Sequence, residues 1–269
     1  MNKERKSAGW LVVDKIPPSP KFKVLLIPGL MGSDFVFSKL MNNSALEEAG
    51  VHLIGGNPPG FKGNLLPDDF DFHISSYAAS VEAIAEAETV NLILGHSFGA
   101  NVLIEVAFRR RFKGKLMLIS PSLCRDAETK DMKMLDKYSR NKLLKGLMWS
   151  VTYASIKSAF TPYFKDPDDL ASVVRDAKLI PKKIAAEIFL GYFDYLIRYP
   201  DLDERLITTT VPVYYLRGDK DDIGFTQKNR ETLKKSSLVK LFEVPNASHF
   251  AMNDNPEEVA RLIIEMLNS

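Results

Sequence analysis

A pentapeptide in the first half of the chain, Gly95-His96-Ser97-Phe98-Gly99, separates an apolar run typical of a β-strand from a run typical of an α-helix. In a Gly-x-Ser-x-Gly sequence at such a junction, a sharp turn holds the serine hydroxyl clear of the sheet. The strained turn leaves no room for side chains two residues either side of Ser97, and Gly95 and Gly99 have none. The pattern therefore predicts that Ser97 is a nucleophile.

A serine hydroxyl is a weak nucleophile at its ordinary pKa, so Ser97 needs a base. The usual base is an imidazole that a carboxylate orients. In proteins with this turn, the chain order is serine, acid, histidine. Of the four histidines, only His249 follows Ser97, in a loop between the last predicted strand and the last predicted helix. We therefore expect His249 to act as the base.

The acid must follow a strand between these two residues. An apolar run in this interval predicts such a strand, and three aspartates in four positions come shortly after it. Asp221 is the favoured acid, because a tight turn at Gly218 allows a carboxylate three residues later to face the histidine. Asp222, in the same turn, and Asp126, after the preceding predicted strand, are the alternatives.

Attack on a carbonyl also requires two backbone N–H groups that stabilise the developing oxyanion. The N–H of Phe98, at the start of its helix, is one candidate. The other comes from the loop after the first buried strand, where Gly29 and Gly32 let the backbone turn inward. We assign the second donor to Leu30.

Strands alternate with helices through the first 120 residues, which predicts a mostly parallel sheet with helices on both faces. The predicted elements are the strands Trp10–Val13, Phe22–Ile27, Val51–Ile54, Val90–Leu94 and Lys115–Ser120 and the helices Ser33–Ala49, Ser75–Glu88 and Ala100–Phe112. The strand pattern resumes at Val211.

The alternation stops between residues 122 and 207, where only helical patterns occur. We interpret this segment as an all-helical cap inserted into a core of residues 1–121 and 208–269, over the sheet edge where ligands bind. We expect a minority of its aromatic side chains to line an apolar pocket above the serine. The candidates are Trp149 and Tyr153 from the cap, with Met31 and Phe250 from the core.

Composition narrows the function classes. A formal charge of +2 over 269 residues gives no reason to expect a nucleic-acid partner. The single cysteine, Cys124, excludes an intramolecular disulfide and a cysteine metal cluster. The charged start of the chain and the lack of a long apolar run predict a cytoplasmic protein without stable membrane insertion. No metal or organic cofactor is needed by the expected chemistry, and the oligomeric state is open.

The chain resembles the α/β-hydrolase fold superfamily in five motifs, which occur in the family's order: Ile27–Ser33, Pro58–Gly63, Gly95–Ala100, Gly218–Ile223 and Ala247–Phe250. The resemblance implies a mostly parallel sheet flanked by helices, and it implies Ser97, Asp221 and His249 as a catalytic triad. Pro28 stands where the family commonly has a histidine, so hydrogen bonding inside that loop must differ. Because the N-terminal region is short, we expect the first antiparallel strands of the fold to be reduced to one.

Carboxylic ester hydrolysis through an acyl-enzyme is the predicted activity, on a small-molecule ester with thioesters as a close variant. The nucleophile in the sharp turn, called the nucleophile elbow, is a serine rather than an aspartate. This disfavours the alkyl-enzyme chemistry of haloalkane dehalogenases and epoxide hydrolases. Carbon–carbon bond hydrolases of this fold usually carry Gly-Asn-Ser at the elbow, and they are an alternative. A catalytically silent small-molecule binding protein is the second alternative.

Overall fold

The computed structural model describes residues 3–269, which form an eight-stranded sheet with helices on both faces. The order across the sheet is β1-β2-β4-β3-β5-β6-β7-β8, and all neighbours from β4 to β8 are parallel. The strands are β1 (Lys3–Ser7), β2 (Trp10–Lys15), β3 (Phe22–Ile27), β4 (Val51–Asn57), β5 (Leu92–His96), β6 (Lys115–Ile119), β7 (Val213–Gly218) and β8 (Val239–Val244). The predicted mostly parallel architecture is confirmed.

Helices connect the parallel strands and cover the sheet. Short 3-10 helices span Asp34–Phe37 and Arg125–Ala127. The α-helices in residues 3–269 are α1 (Ser38–Met41), α2 (Ser44–Glu48), α3 (Ile74–Glu88), α4 (Phe98–Arg109), α5 (Lys130–Ser139), α6 (Lys145–Phe160), α7 (Pro167–Lys178), α8 (Lys182–Arg198), α9 (Leu202–Leu206), α10 (Gln227–Leu233), α11 (Ala251–Asp254) and α12 (Pro256–Asn268). None of them combines the length and apolar character that crossing a bilayer requires.

The central strands are buried on both faces, which explains why they read as continuous apolar runs. Successive side chains of a strand point to opposite faces. In β3, Leu25 and Ile27 accordingly belong to the core formed with α3 and α4. Val24 and Leu26 belong to a second core on the other face, formed with α1 and α12. The sheet is therefore fixed from both sides.

Between β6 and β7 the described chain is helical, in agreement with the sequence pattern. Helices α5 to α9 lie in this segment, although the short α9 was not foreseen. Several side-chain bonds tie this segment to the core. Arg205 forms a salt bridge of 2.7 Å with Glu105 of α4, and Asp176 accepts a hydrogen bond of 2.8 Å from Ser33. Its boundaries at residues 122 and 207 stay a prediction.

The N-terminal region contains two antiparallel strands, so the expectation of a single one is wrong. β1 and β2 form a hairpin whose turn residues, Ala8 and Gly9, both have positive φ. β1 has no apolar residue, and the sequence pattern therefore gave no strand signal. Its position is fixed by charge instead, since Arg5 forms salt bridges with Asp14 and Glu88.

Two further elements differ from their predictions because of tertiary contacts. β4 continues through Gly55 and Gly56, where a loop was expected. A Cβ atom at Gly56 would lie 2.9 Å from the ring of Trp10, and one at Gly55 would lie 2.8 Å from Asp34 Cβ, so the two glycines let the strand pass close to buried side chains. The single helix expected over Ser33–Ala49 is three short helical pieces, with the side chain of Asn43 capping α2.

One glycine brings the loops after β7 and β8 together. A Cβ atom at Gly218 would lie 2.1 Å from the carbonyl oxygen of Ala247. The Lys220 N–H donates to that same oxygen at 2.9 Å. This contact places the two C-terminal loops side by side at one edge of the sheet.

We predict that Gly218→Ala lowers the free energy of unfolding by about 3 kcal/mol, because the added methyl group must displace backbone atoms. Gly146→Ala is the matched control, since no atom lies within 4 Å of its added Cβ. That control is expected to stay within about 1 kcal/mol of the wild type. Urea denaturation measures both, and equal midpoints for the two variants would contradict the contact.

Candidate active site

Ser97 lies at the turn between β5 and α4 in a strained backbone conformation. Its φ and ψ are 51° and −116°, a region that residues with a side chain rarely adopt. The turn is held by the Ser97 N–H, which donates to the Ile119 carbonyl of the neighbouring strand at 2.8 Å. Ser97 is half-buried and lines a cavity. The turn thus presents its hydroxyl to a space that a ligand can enter.

The two glycines of the pentapeptide have no space for a side chain. A Cβ atom at Gly95 would lie 2.5 Å from backbone atoms of Gly99, and one at Gly99 would lie 2.5 Å from the Ile27 carbonyl oxygen. Real Cβ atoms essentially never approach so closely. Both glycines are therefore required where the first turn of α4 packs onto β3 and β5.

His249 and Asp221 form a hydrogen-bonded pair at the same sheet edge. His249 Nδ1 and Asp221 Oδ1 are 3.1 Å apart, and this oxygen also accepts the Ile223 N–H at 3.1 Å. The alternative Asp222 is exposed, and its carboxylate lies 3.5 Å from the Tyr163 hydroxyl. Asp126, the other alternative, makes no hydrogen bond to His249 in residues 3–269.

Opposite charges stabilise the ionised forms of this pair. Burial alone would raise the pKa of Asp221, but the hydrogen bond and charge of His249 bring it below the ordinary value. Burial alone would lower the pKa of His249, but the hydrogen bond and charge of Asp221 raise it above the ordinary value. In neutral His249, Nδ1–H donates to the carboxylate, so Nε2 carries the lone pair that can accept a proton.

Ser97 and His249 lie on the same cavity without a hydrogen bond between them in residues 3–269. The ring of His96, the residue before Ser97, is 4.8 Å from the ring of His249, between centroids. Hydrogen bonds between a nucleophile and its base are often long in unliganded proteins and shorten when substrate binds. The arrangement is compatible with proton transfer between the two residues.

His96 fixes the backbone of the His249 loop, a role that sequence reasoning missed. The ring is buried, and its Nε2–H donates to the His249 carbonyl oxygen at 3.0 Å. Burial, followed by the charge of His249, holds the pKa of His96 well below its ordinary value. His96 therefore stays neutral. The only signal in the sequence was an imidazole directly before the serine.

The loop after β3 packs directly on the serine. A Cβ atom at Gly29 would lie 3.0 Å from Ser97 Cβ. The loop is a tight turn in which Gly32 N–H donates to the Gly29 carbonyl at 3.0 Å and Met31 has a φ of 58°. The hydrogen bond from Gly32 to Gly29 is therefore the bond inside this loop, in which Pro28 replaces the histidine common in the family.

Two backbone N–H groups near Ser97 are free. The N–H of Leu30 has no backbone acceptor in residues 3–269. That of Phe98 is the first in α4, and the first N–H groups of a helix have no acceptor within it. Leu30 and Ser97 both line the cavity. These are the two groups that the sequence assigns to oxyanion stabilisation.

The cavity has a volume of about 530 Å³ and lies between this edge of the sheet and helices α5, α6 and α8. Of the expected pocket residues, Met31, Trp149 and Phe250 line it. Tyr153 is not among the residues that line it. The Tyr153 hydroxyl donates to the Ile180 carbonyl.

Several lining residues could not be assigned from the sequence. Glu128, Phe189 and Tyr192 line the cavity and come from the segment between β6 and β7. The position of Glu128 depends on how a loop folds, for which a single sequence carries no signal. The two aromatic residues of α8 were visible only as part of an apolar helix pattern.

Three side chains at this edge resemble a metal-ligand set. Ligand atoms of Asp221, Asp222 and His249 all lie within 4.8 Å of one another. However, Nδ1 of His249 and Oδ1 of Asp221 are hydrogen-bonded to each other at 3.1 Å, and the third carboxylate, Asp222, is exposed. The geometry fits an acid–base pair better than a metal centre.

The fold and these motifs identify the family. Residues 24–262 match the model of the alpha/beta hydrolase family, and the chain belongs to that family. It is therefore a hydrolase by family. No curated protein is similar enough to the chain to count as a match.

Solved structures of similar fold differ in the bond that their names describe. The epoxide hydrolase CorEH is 15% identical with a TM-score of 0.75, and the match covers 100% of this chain and 98% of that chain. An esterase from Thermogutta terrifontis is 16% identical with a TM-score of 0.68 and the same two coverages. A mutant of the N-acyl homoserine lactonase AidH is 13% identical, with a TM-score of 0.74 and coverages of 100% and 96%. At these identities the likeness shows the fold alone.

We predict that the Asp221→Asn substitution lowers the pKa of His249. In the wild type that pKa lies above about 6.5, whereas the amide removes the charge that offsets burial and leaves a pKa below this value. NMR titration of the ring protons, assigned with His→Gln variants, measures the change. His96 is the internal control, and its pKa is expected to stay well below the ordinary value in both proteins. A wild-type His249 that titrates below its ordinary value would contradict the pairing.

Proposed function

We propose that this protein is a serine hydrolase that cleaves carboxylic esters, with thioesters as a close variant, through an acyl-enzyme on Ser97. The observation that carries the proposal is that the strained Ser97 lines one cavity together with His249, which is hydrogen-bonded to Asp221, and with Leu30. Together these groups supply a nucleophile, a base and an oxyanion site.

Acylation begins when Ser97 Oγ attacks the ester carbonyl while His249 Nε2 takes its proton. Asp221 keeps the imidazole in the tautomer with hydrogen on Nδ1 and stabilises the imidazolium that forms. The N–H groups of Leu30 and Phe98 stabilise the negative charge on the carbonyl oxygen. His249 then returns the proton to the leaving alcohol, and an ester of Ser97 remains.

Deacylation uses the same groups in the reverse order. His249 draws a proton from water, which attacks the acyl carbon, and the oxyanion forms again at the same N–H groups. The proton then goes to Ser97 Oγ and the acid product leaves. The neutral His96 takes no part in proton transfer and acts by holding the His249 backbone.

The site's own residues favour ester cleavage over alkyl-enzyme chemistry and over silent binding. A covalent alkyl intermediate requires a carboxylate nucleophile, and the elbow residue here is a serine. A catalytically silent binding protein has no need for a hydrogen-bonded acid and base beside a strained serine. An esterase and a lactonase are among the proteins of similar fold, which is compatible with the proposal.

The helical segment, residues 122–207, serves in this proposal as the cap that selects the substrate. Helices α5, α6 and α8 contribute Leu135, Ile156 and Phe189 to the cavity. An apolar lining of this kind favours a hydrophobic acyl or alcohol group.

We predict that Ser97→Ala abolishes hydrolysis of p-nitrophenyl esters, with a loss in kcat of at least about 10⁴-fold, because the nucleophile is removed. A panel of increasing acyl length measures the turnover, and short to medium chains are expected to react. Ser158→Ala is the matched control, because it removes another serine hydroxyl from the same cavity, and it is expected to keep its activity.

Labelling gives an independent check on the same residue. A fluorophosphonate is expected to label the wild type at one serine, Ser97, and to fail on His249→Ala. Turnover retained by Ser97→Ala, or no labelling of the wild type between about pH 6 and 9, would overturn the proposal.

A further inference from the structure

Three acidic side chains line the cavity: Glu128, Asp131 and Asp222. Within residues 3–269, no lysine or arginine lines it. Asp131 and Asp222 are exposed, so water screens their charges. Glu128 is only 6% exposed. Its charge is therefore the one that acts most strongly inside the cavity.

The hydrogen bonds of Glu128 satisfy only one of its two carboxylate oxygens. Ser122 Oγ and the Tyr192 hydroxyl both donate to Oε1. Burial, followed by the negative charge of Glu128, raises the pKa of Tyr192 well above its ordinary value, so this hydroxyl keeps its proton. No donor reaches Oε2 in residues 3–269. A carboxylate can accept at both oxygens, so Oε2 is available to a ligand.

Glu128 differs in this respect from the other buried carboxylates. Most of them form a salt bridge with a lysine or arginine: Asp14, Asp34, Glu105, Asp136 and Asp176. Asp203 lacks such a partner, but its two oxygens accept N–H groups from Glu204 and Asn229. Glu128 has neither a basic partner within 4 Å nor a second set of donors in residues 3–269. A buried carboxylate without a counter-charge is costly unless something neutralises it.

Contacts place this carboxylate close to the serine. The Tyr192 ring packs on the Phe98 ring, with 6.0 Å between centroids, and Phe98 follows Ser97 directly. Ser122 is bonded through both its N–H and its carbonyl to Asn101, which lies one turn of α4 beyond the serine. The charge of Glu128 also contributes to the raised pKa of His249.

The same cavity is lined by aromatic rings: Trp149, Phe160, Tyr163, Phe189, Tyr192 and Phe250. The faces of aromatic rings attract cations, and clusters of such rings bind quaternary ammonium groups. A buried carboxylate among aromatic rings therefore forms an environment that is favourable for a cation and unfavourable for an anion.

We propose that the cavity selects esters that carry a cationic group, a protonated amine or a quaternary ammonium, with Glu128 as its counter-ion. This inference rests on the proposed function for the reaction and adds the charge of the substrate. A substrate with a free carboxylate is excluded by the same charges.

Three butanoate thioesters of similar shape test the selection: butanoylthiocholine, its neutral isostere S-(3,3-dimethylbutyl) thiobutanoate, and the anionic 3-(butanoylthio)propanoate. The released thiol is measured with a chromogenic disulfide. We expect kcat/KM of the wild type to be at least about tenfold higher for the cation than for the neutral ester, and lowest for the anion. A cation-to-neutral ratio near one would overturn the inference, whatever any variant does.

Glu128→Gln removes the charge and keeps an oxygen that can accept from Ser122 and Tyr192. We expect the cation-to-neutral ratio to fall to within about threefold of one; both esters are measured on the same variant, so a change in its overall activity cancels in the ratio. Asp131→Asn removes an exposed charge from the same cavity and is the matched control, which keeps the wild-type ratio. If Glu128 serves only to tie the loop to α8, Glu128→Gln retains the ratio, and the inference fails.

Binding separates failure of the inference from failure of the proposed function. Ser97→Ala leaves the thioesters intact, so calorimetry can compare the dissociation constants of the cationic and neutral forms. Suppose that the wild type hydrolyses none of the thioesters, while Ser97→Ala binds the cationic form at least about tenfold more tightly than the neutral form. That result would contradict the proposed hydrolysis and leave cation selection intact. Equal dissociation constants for the two forms would sink cation selection.

Discussion

The strained backbone at Ser97 is the constraint on which the rest of the site depends. A side-chain-bearing residue with a φ of 51° persists only where its surroundings hold it there. The Ile119 carbonyl holds the Ser97 N–H, and the close approach of α4 to β5 and β3 leaves no room for a side chain at Gly95 or Gly99. Contacts with the parallel sheet thus keep the Ser97 hydroxyl at the cavity.

Charge and backbone contacts position the acid and the base beside the serine. The Asp221–His249 pair stays hydrogen-bonded because the loops after β7 and β8 touch at Gly218, where a side chain would not fit. His96 adds a second restraint, since its neutral ring holds the carbonyl of His249. The acid and base therefore sit on fixed backbone at the sheet edge that carries the serine.

Much of this architecture is readable from the sequence, because the buried parallel strands are apolar and the turn residues are glycines. The pairing of Asp221 rather than Asp222 with His249 was favoured on spacing and needed the structure to be seen. β1 escaped detection because ion pairs, not apolar residues, fix it. The lining of the cavity, with Glu128 in it and Tyr153 outside it, depends on how loops and helices pack, which local patterns do not encode.

The central claim is that His249 governs the reactivity of Ser97. The pH dependence of the rate at which a fluorophosphonate labels Ser97 tests it directly. The account predicts a rate that falls as the pH drops through the pKa of His249, above about 6.5, because the protonated imidazole cannot act as a base. A labelling rate that is constant across this range, or that follows a different ionisation in the wild type, would contradict it.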